Sequence, residues 1–231
     1  MRTKSSGNPS FQCSCRKPIG TCKNLNHPLK MEALVGPFIE GWALGKYSGK
    51  LEEKSTNSHT EYGYLKYGKL VHDYKYQSFK EDDILGRSMR NSIMLEINKS
   101  VDYFLDGYFP VNRRDFNTVV AVPSSRGSTS TIQSEICRHL VQEGFHEAIG
   151  TIHVKDKGRV ATKNIPGLQE RLKSVGARYE LGSPNDLQNA TGLLLIDDIY
   201  ETGATLRATV QILNKVVPNI PKYFLTVTYI V

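Results

Sequence analysis

Leu85, Met89, Ile93 and Ile97 recur at four-residue steps, the spacing of one face of a long helix. Glu81, Asp82 and Asp83 precede them, with Ser78 and Glu81 at capping-box spacing, which suits a helix N-terminus. Further along, "TVVAVP" (118–123) predicts a short buried strand, and Ile132, Ile136 and Leu140 predict a second helix stopped by Gly144. "AIGTIHVK" (148–155) predicts another strand, "KDKGRVATKNIPG" (155–167) a polar loop and "LQERLKSV" (168–175) a short helix. "GLLLI" (192–196) has no polar alternation, as in strands covered by helices on both sides. Leu206, Val210, Leu213 and Val217 give a helix ended at Pro218, and "YFLTVTYIV" (223–231) a closing strand.

The first third is less periodic. "PFIEGWALGKYS" (37–48) has strand character with Trp42 as a core aromatic, and "LEEKSTNSHTEYG" (51–63) reads as a loop. "YLKYGKLVHDYKYQSFK" (64–80) interleaves tyrosine and lysine without a clear period. Its rings could stack on nucleic-acid bases, or pack while the lysine heads reach water. Residues 1–30 are rich in Ser, Gly, Pro and Asn and read as an arm, 31–80 as a hood and linker region, and 81–231 as the core. Strands alternate with helices through that core, so the expected fold is α/β, with a mostly parallel twisted sheet flanked by helices.

The strand "GLLLI" ends in two adjacent acids, Asp197 and Asp198. Like charges so close repel, so a cation or a set of hydroxyls should stand between them and water. The turn that follows, Glu201, Thr202, Gly203, Ala204 and Thr205, enters a helix, and its free amides with the helix dipole suit a phosphate. Acids on one side and a phosphate cradle on the other point to a ligand with vicinal hydroxyls and a terminal phosphate, such as ribose 5-phosphate. A second strand end, Val122, Pro123, Ser124, Ser125 and Arg126, pairs small residues with a cationic fork and would take a second phosphate.

Charge narrows the picture. The net charge is +7, and residues 1–30 carry Arg2, Lys4, Arg16, Lys17, Lys23 and Lys30 with no acid. The remaining 201 residues hold 24 bases against 23 acids, so the body is not a cationic nucleic-acid platform. The basic arm is where contact with single-stranded nucleic acid would occur, unless it is simply solvated. No apolar run is long enough to span a bilayer and the first thirty residues lack a secretory apolar block, so a cytoplasmic protein without membrane partners is expected.

Cys13, Cys15 and Cys22 with His27 follow C-x-C-x6-C-x4-H, four ligands suited to tetrahedral zinc, and the same residues could be free reduced thiols. Cys137 reads as packing and His72 and His153 as structural or surface residues, while Cys137 and His139, two apart on a helix, share no face and so form neither a nucleophile pair nor a metal site. No G-x-S-x-G, Walker A or H-E-x-x-H pattern occurs.

"LLLIDDIYETGAT" (193–205) resembles the phosphoribosyl-pyrophosphate signature of type I phosphoribosyltransferases: an apolar strand, two acids, two mostly apolar residues and a T-G-x-T turn. Within that superfamily, "KLVHDYKYQ", "VVAVP" and "NIPGLQERLKS" are similar to the competence-associated ComF family, whose members often carry an N-terminal four-cysteine zinc ribbon. The resemblance implies a type I phosphoribosyltransferase-like fold, with a hood segment and an N-terminal arm or small zinc module. By the same resemblance, Asp197 and Asp198 hold the ribose hydroxyls directly or through Mg²⁺, and residues 201–205 bind the 5-phosphate. Val122 to Arg126 meet the pyrophosphate, and Lys155, Lys157 and Arg159 belong to the hood. Glu201 either faces the anomeric carbon and the incoming base or serves the helix dipole. The implied activity is transfer of phosphoribose to a nitrogen nucleophile with release of pyrophosphate, in a homodimer as in many relatives. The implied rival is a non-catalytic module that binds nucleotide or single-stranded DNA.

Overall fold

The computed structural model describes residues 11–13, 29–32, 39–50, 62–76, 83–107, 111, 115–124, 131–148, 151–155, 165, 167–182 and 185–230. Its main sheet contains β1 (Phe11–Cys13), β2 (Leu29–Glu32), β3 (Ile39–Lys46), β6 (Thr118–Ala121), β7 (His146–Glu147), β10 (Leu193–Tyr200) and β11 (Lys222–Tyr229). Two small antiparallel two-stranded sheets pair β4 (Ser48–Lys50) with β5 (Tyr62–Tyr64), and β8 (Ile152–Val154) with β9 (Tyr179–Leu181). The helices are α1 (Lys66–Tyr76), α2 (Ile84–Gly107), α3 (Ile132–Gln142), α4 (Leu168–Arg178) and α5 (Ala204–Leu213).

The main sheet runs in the order β1-β2-β3-β11-β10-β6-β7. Its five strands from β3 to β7 are mutually parallel, and β2 and β1 add antiparallel at the β3 edge. Helices cover this α/β sheet on both faces, an architecture compatible with a Rossmann-like fold. On one face Val71 of α1, Ile97 and Phe104 of α2 and Ile136 of α3 pack against Leu194 and Ile196. On the other face Leu206, Val210 and Leu213 of α5 pack against Leu193 and Leu195. α4 lies outside α5, with Val175 against Ala208 and Ile212.

The order creates a break in direction. From β6 the chain passes through α3 to β7 at one edge; from β10 it passes through α5 to β11 on the opposite side. Right-handed crossovers that move in opposite directions must put α3 and α5 on opposite faces, as they are. The gap between the carboxyl ends of β6 and β10 is therefore a topological switch point, where open α/β sheets bind ligands.

Several expectations need correction. Residues 148–155 do not form one strand: the main sheet takes His146–Glu147 instead, and Ile152–Val154 pairs with β9 in a separate two-stranded sheet. The strand expected at 192–196 continues through both acids to Tyr200, because β11 supplies ladder partners as far as Tyr229. The last helix ends at Leu213, before Val217 and Pro218. Tyr62 and Gly63, read as loop, pair in β5, and the ambiguous tyrosine- and lysine-rich stretch contains α1. β3, within the stretch read as hood and linker, joins the main sheet beside β11.

α2 buries a different stripe from the one expected. Ile97 is fully buried, but Leu85 is 67% and Met89 42% exposed, and the buried set is Gly86, Met94, Ile97, Val101, Phe104 and Leu105. Four-residue steps advance about 40° beyond a full turn each, so such a stripe drifts around the helix and leaves the core. The Ser78–Glu81 cap lies outside the described residues. Trp42 and Cys137 are buried, as expected. Among the described residues no helix is long and apolar enough to cross a membrane.

Candidate functional site

β10 outruns its neighbour. Its last ladder pair with β6 is Ile196 with Ala121, closed by the Val122 N–H donating to the Ile196 carbonyl at 2.8 Å. Residues 197–200 continue beyond that rung with β11 on their other side. Asp197 and Asp198 thus begin where β6 ends, at the lip of the switch point.

The two acids do not lie side by side. Successive strand residues point to opposite faces, and Leu193 and Leu195 face α5 whereas Leu194 and Ile196 face α1 to α3. The same alternation sends Asp197 to the α5 side and Asp198 to the α1 side. Their partners agree. The Lys75 ammonium, in the last turn of α1, stands 2.5 Å from Asp198 Oδ2. It neutralises Asp198 alone, since Asp197 faces the other side of the sheet. Asp197 instead acts on the Tyr179 hydroxyl, and its Oδ1 accepts the Asp198 backbone N–H at 2.8 Å. Burial, and after it the neighbouring Asp198, pushes the Asp197 carboxyl well above the usual carboxylate range.

The turn after the acids brings the expected residues to the start of α5. Gly203 is its N-cap residue, with φ +69°, and the helix start has no side-chain cap. A Cβ at Gly203 would lie 2.8 Å from the Tyr200 hydroxyl oxygen, so conformation and space both require glycine. Thr205 hydrogen-bonds the Tyr179 hydroxyl, which donates to the Pro123 carbonyl at 2.8 Å. Tyr179 therefore spans the switch point from the start of β9. Glu201 points to Arg171 of α4, whose Nη1 lies 3.2 Å from Glu201 Oε1 while its Nε donates to the Ile165 carbonyl at 2.7 Å.

At the end of β6, Val122 is buried and its carbonyl accepts from Gln133 Nε2 at 3.1 Å, so this residue is used by the core. Pro123 and Ser124 are half-buried at the lip; Ser125 and Arg126 lie outside the described residues. Lys155 directly follows β8 and pairs with Glu180 of β9 at 3.0 Å. Lys157 and Arg159 lie outside the described residues, as do Cys15, Cys22 and His27; Cys13 is the last residue of β1, opposite Leu29. Among the described residues no group of three or more His, Cys, Asp or Glu is placed to hold a metal ion.

Sequence reasoning missed Lys75, Arg171 and Tyr179. Lys75 and Arg171 stand inside stretches quoted for their resemblance, "KLVHDYKYQ" and "NIPGLQERLKS", so that signal was present. Tyr179 had none. An aromatic ladder was also unforeseen: Tyr47 meets Tyr64 edge-on at 5.3 Å, Tyr64 stacks on His72 at 4.4 Å, and His72 tilts against Tyr76 at 5.3 Å. It adjoins Asp198, for Tyr47 has its hydroxyl pushed up to about 12 by burial first, then by Tyr64, Tyr76 and Asp198. No protein-family model matches the chain and no curated protein matches it.

Proposed function

We propose that the switch point binds phosphoribosyl pyrophosphate or a related sugar phosphate, and that the protein is a cytoplasmic, type I phosphoribosyltransferase-like enzyme of the ComF kind. The observation that carries this reading is the position of residues 197–205: the segment that resembles the phosphoribosyl-pyrophosphate signature runs from the end of a central parallel strand into an uncapped helix start at the switch point.

In this reading the amides of residues 202–205 hold the 5-phosphate and the Thr205 hydroxyl assists. Arg171 neutralises Glu201, which would otherwise repel that phosphate. Asp197, on the α5 side with that turn, accepts hydrogen bonds from the ribose hydroxyls and, as the carboxylate, stabilises the positive charge that develops at the sugar as pyrophosphate leaves, while Asp198 with Lys75 stands on the opposite side of β10. The turn after β6 meets the leaving group. A nitrogen nucleophile attacks the anomeric carbon, the bond to pyrophosphate breaks, and positioning with charge stabilisation supplies the acceleration.

The residues described do not build a carboxylate cradle for Mg²⁺: Lys75 already occupies Asp198, and Asp197 faces the other side of the sheet. Magnesium therefore enters this proposal on the ligand's diphosphate. The proposed zinc site at Cys13, Cys15, Cys22 and His27 is independent of this chemistry.

The aromatic ladder favours a second reading, a non-catalytic module for nucleotide or single-stranded DNA. Tyr64 and Tyr76 are 44% and 50% exposed and offer stacking faces suited to unpaired bases, although Lys66, Lys69 and Lys75 of α1 are each paired, with Glu96, Asp73 and Asp198. Calorimetry with phosphoribosyl pyrophosphate and Mg²⁺, on the natural chain and on Asp197→Asn/Asp198→Asn, tests the first reading. The natural chain should bind and the double variant lose most of its affinity; equal binding by both would remove the site assignment. Pyrophosphate release over a panel of bases and amines, set against salt-dependent binding of single-stranded DNA, separates enzyme from module.

A further inference from the structure

The pairing of Lys75 with Asp198 has a consequence for metal use. We propose that Lys75 is the resident cation of the acidic strand end: its ammonium fills the place at Asp198 that a divalent ion would take, so the site engages its ligand without a metal held by that carboxylate. What this means for sugar binding rests on the function proposed above; the competition between Lys75 and a metal does not.

The geometry is specific. Lys75 Nζ lies 2.5 Å from Asp198 Oδ2, with the two side chains 30% and 11% exposed, so water screens the pair incompletely. α1 is held firmly enough to keep it there. Tyr67, Val71 and Tyr74 are buried, and Gly68 lies so close to the Tyr47 carbonyl that a Cβ would overlap it. Lysine presents a compact point charge, which suits the replacement of a small cation better than the broad fork of arginine.

The oxygens around Asp198 are also committed. Its own carbonyl accepts from Thr228 Oγ1 at 3.2 Å, and Oδ1 of Asp197 accepts the Asp198 N–H. Strand alternation puts the second carboxylate on the other face of the sheet. Mg²⁺ demands near-octahedral oxygen ligands and gives up its waters reluctantly, so a single carboxylate with an ammonium already on it is a poor competitor for that ion. The acid pair looks in sequence like a metal site; in three dimensions one member is already neutralised by the chain itself.

Binding of Mn²⁺ alone, read from the electron paramagnetic resonance of the free ion, tests this without any sugar ligand. The full natural chain should show no Mn²⁺ affinity that Asp198→Asn reduces. Lys75→Gln should gain affinity at least about tenfold, that gain should vanish in Lys75→Gln/Asp198→Asn, and Lys75→Arg, which keeps a cation, should gain little. Tight Mn²⁺ binding by the natural chain that Asp198→Asn abolishes would overturn the proposal, and that comparison needs no Lys75 variant to fold. Equal Mn²⁺ binding by the natural chain and a folded Lys75→Gln would overturn it as well. A parallel titration with ribose 5-phosphate keeps the two ideas apart. A natural chain that binds none, with or without chelator, sinks the sugar-phosphate reading while the Mn²⁺ comparison still decides the role of Lys75.

Discussion

The Tyr179 hydroxyl donates to the Pro123 carbonyl oxygen at 2.8 Å, tying the β8–β9 sheet to the end of β6 across 56 residues of sequence. Tyr179 is buried and its hydroxyl is pushed upward by that burial and by Asp197, so it remains a proton donor throughout the working range of pH. Tyr179→Phe keeps the ring and leaves the carbonyl short of its donor. Urea unfolding should show a loss of about 1–2 kcal/mol; an unchanged midpoint would mean that the bond contributes nothing.

Asp197 predicts a stability that depends on pH. Its carboxyl is raised above the ordinary 3.8 by burial and by Asp198. A raised folded value means that the folded chain holds the proton to higher pH than the unfolded chain does. The stability this group contributes is complete below about pH 4 and is lost as pH rises through the raised value. Asp197→Asn removes the titration, and the amide oxygen can still accept the Asp198 N–H. The variant should be more stable than the natural chain at pH 7.5 by at least ~1 kcal/mol, with the difference shrinking toward pH 4. Urea denaturation at the two pH values measures this, and a pH-independent difference would contradict it.

Two glycines answer to different constraints. Gly203→Ala forces a left-handed backbone angle on alanine and drives its Cβ toward the Tyr200 ring, at a cost of about 1–3 kcal/mol. Gly68→Ala meets the Tyr47 backbone, which cannot rotate away, so α1 must lift from β3. Thermal unfolding should rank Gly68→Ala as the more damaging of the two. The opposite order would place the tighter packing at the turn.

The Arg171–Glu201 pair sets the charge beside the start of α5. Arg171→Met should weaken binding of ribose 5-phosphate about tenfold, because Glu201 then repels the phosphate without a counter-ion. Glu201→Gln should bind as well as the natural chain or better. Calorimetry at low salt compares them, and tighter binding by Arg171→Met would reverse the assigned polarity of the turn.

Local pattern made much of the fold legible. The buried run Leu193 to Ile196, the stripe of Ile132, Ile136 and Leu140 and the closing strand were readable because a covered strand and an amphipathic helix each impose a period on their own segment. The turn at residues 201–205 was readable for a similar reason, since an uncapped helix start and a left-handed glycine are local requirements. Where a neighbour decides the outcome, pattern failed. The strand could not be followed past Ile196, because Tyr200 is in it only through pairing with Tyr229. The run 148–155 divided because its two parts meet different partners, β6 and β9.

By itself the sequence determined that this chain would be an α/β protein with two acids and a glycine turn at the end of a buried strand. Only the tertiary structure decided that the acids face opposite sides, that Lys75 from 123 positions earlier neutralises one of them, and that Tyr179 closes the gap to β6. The physical reason is range: periodicity and turn chemistry act over a few residues, whereas a counter-ion is chosen by which helix end the packed core brings within a few ångströms.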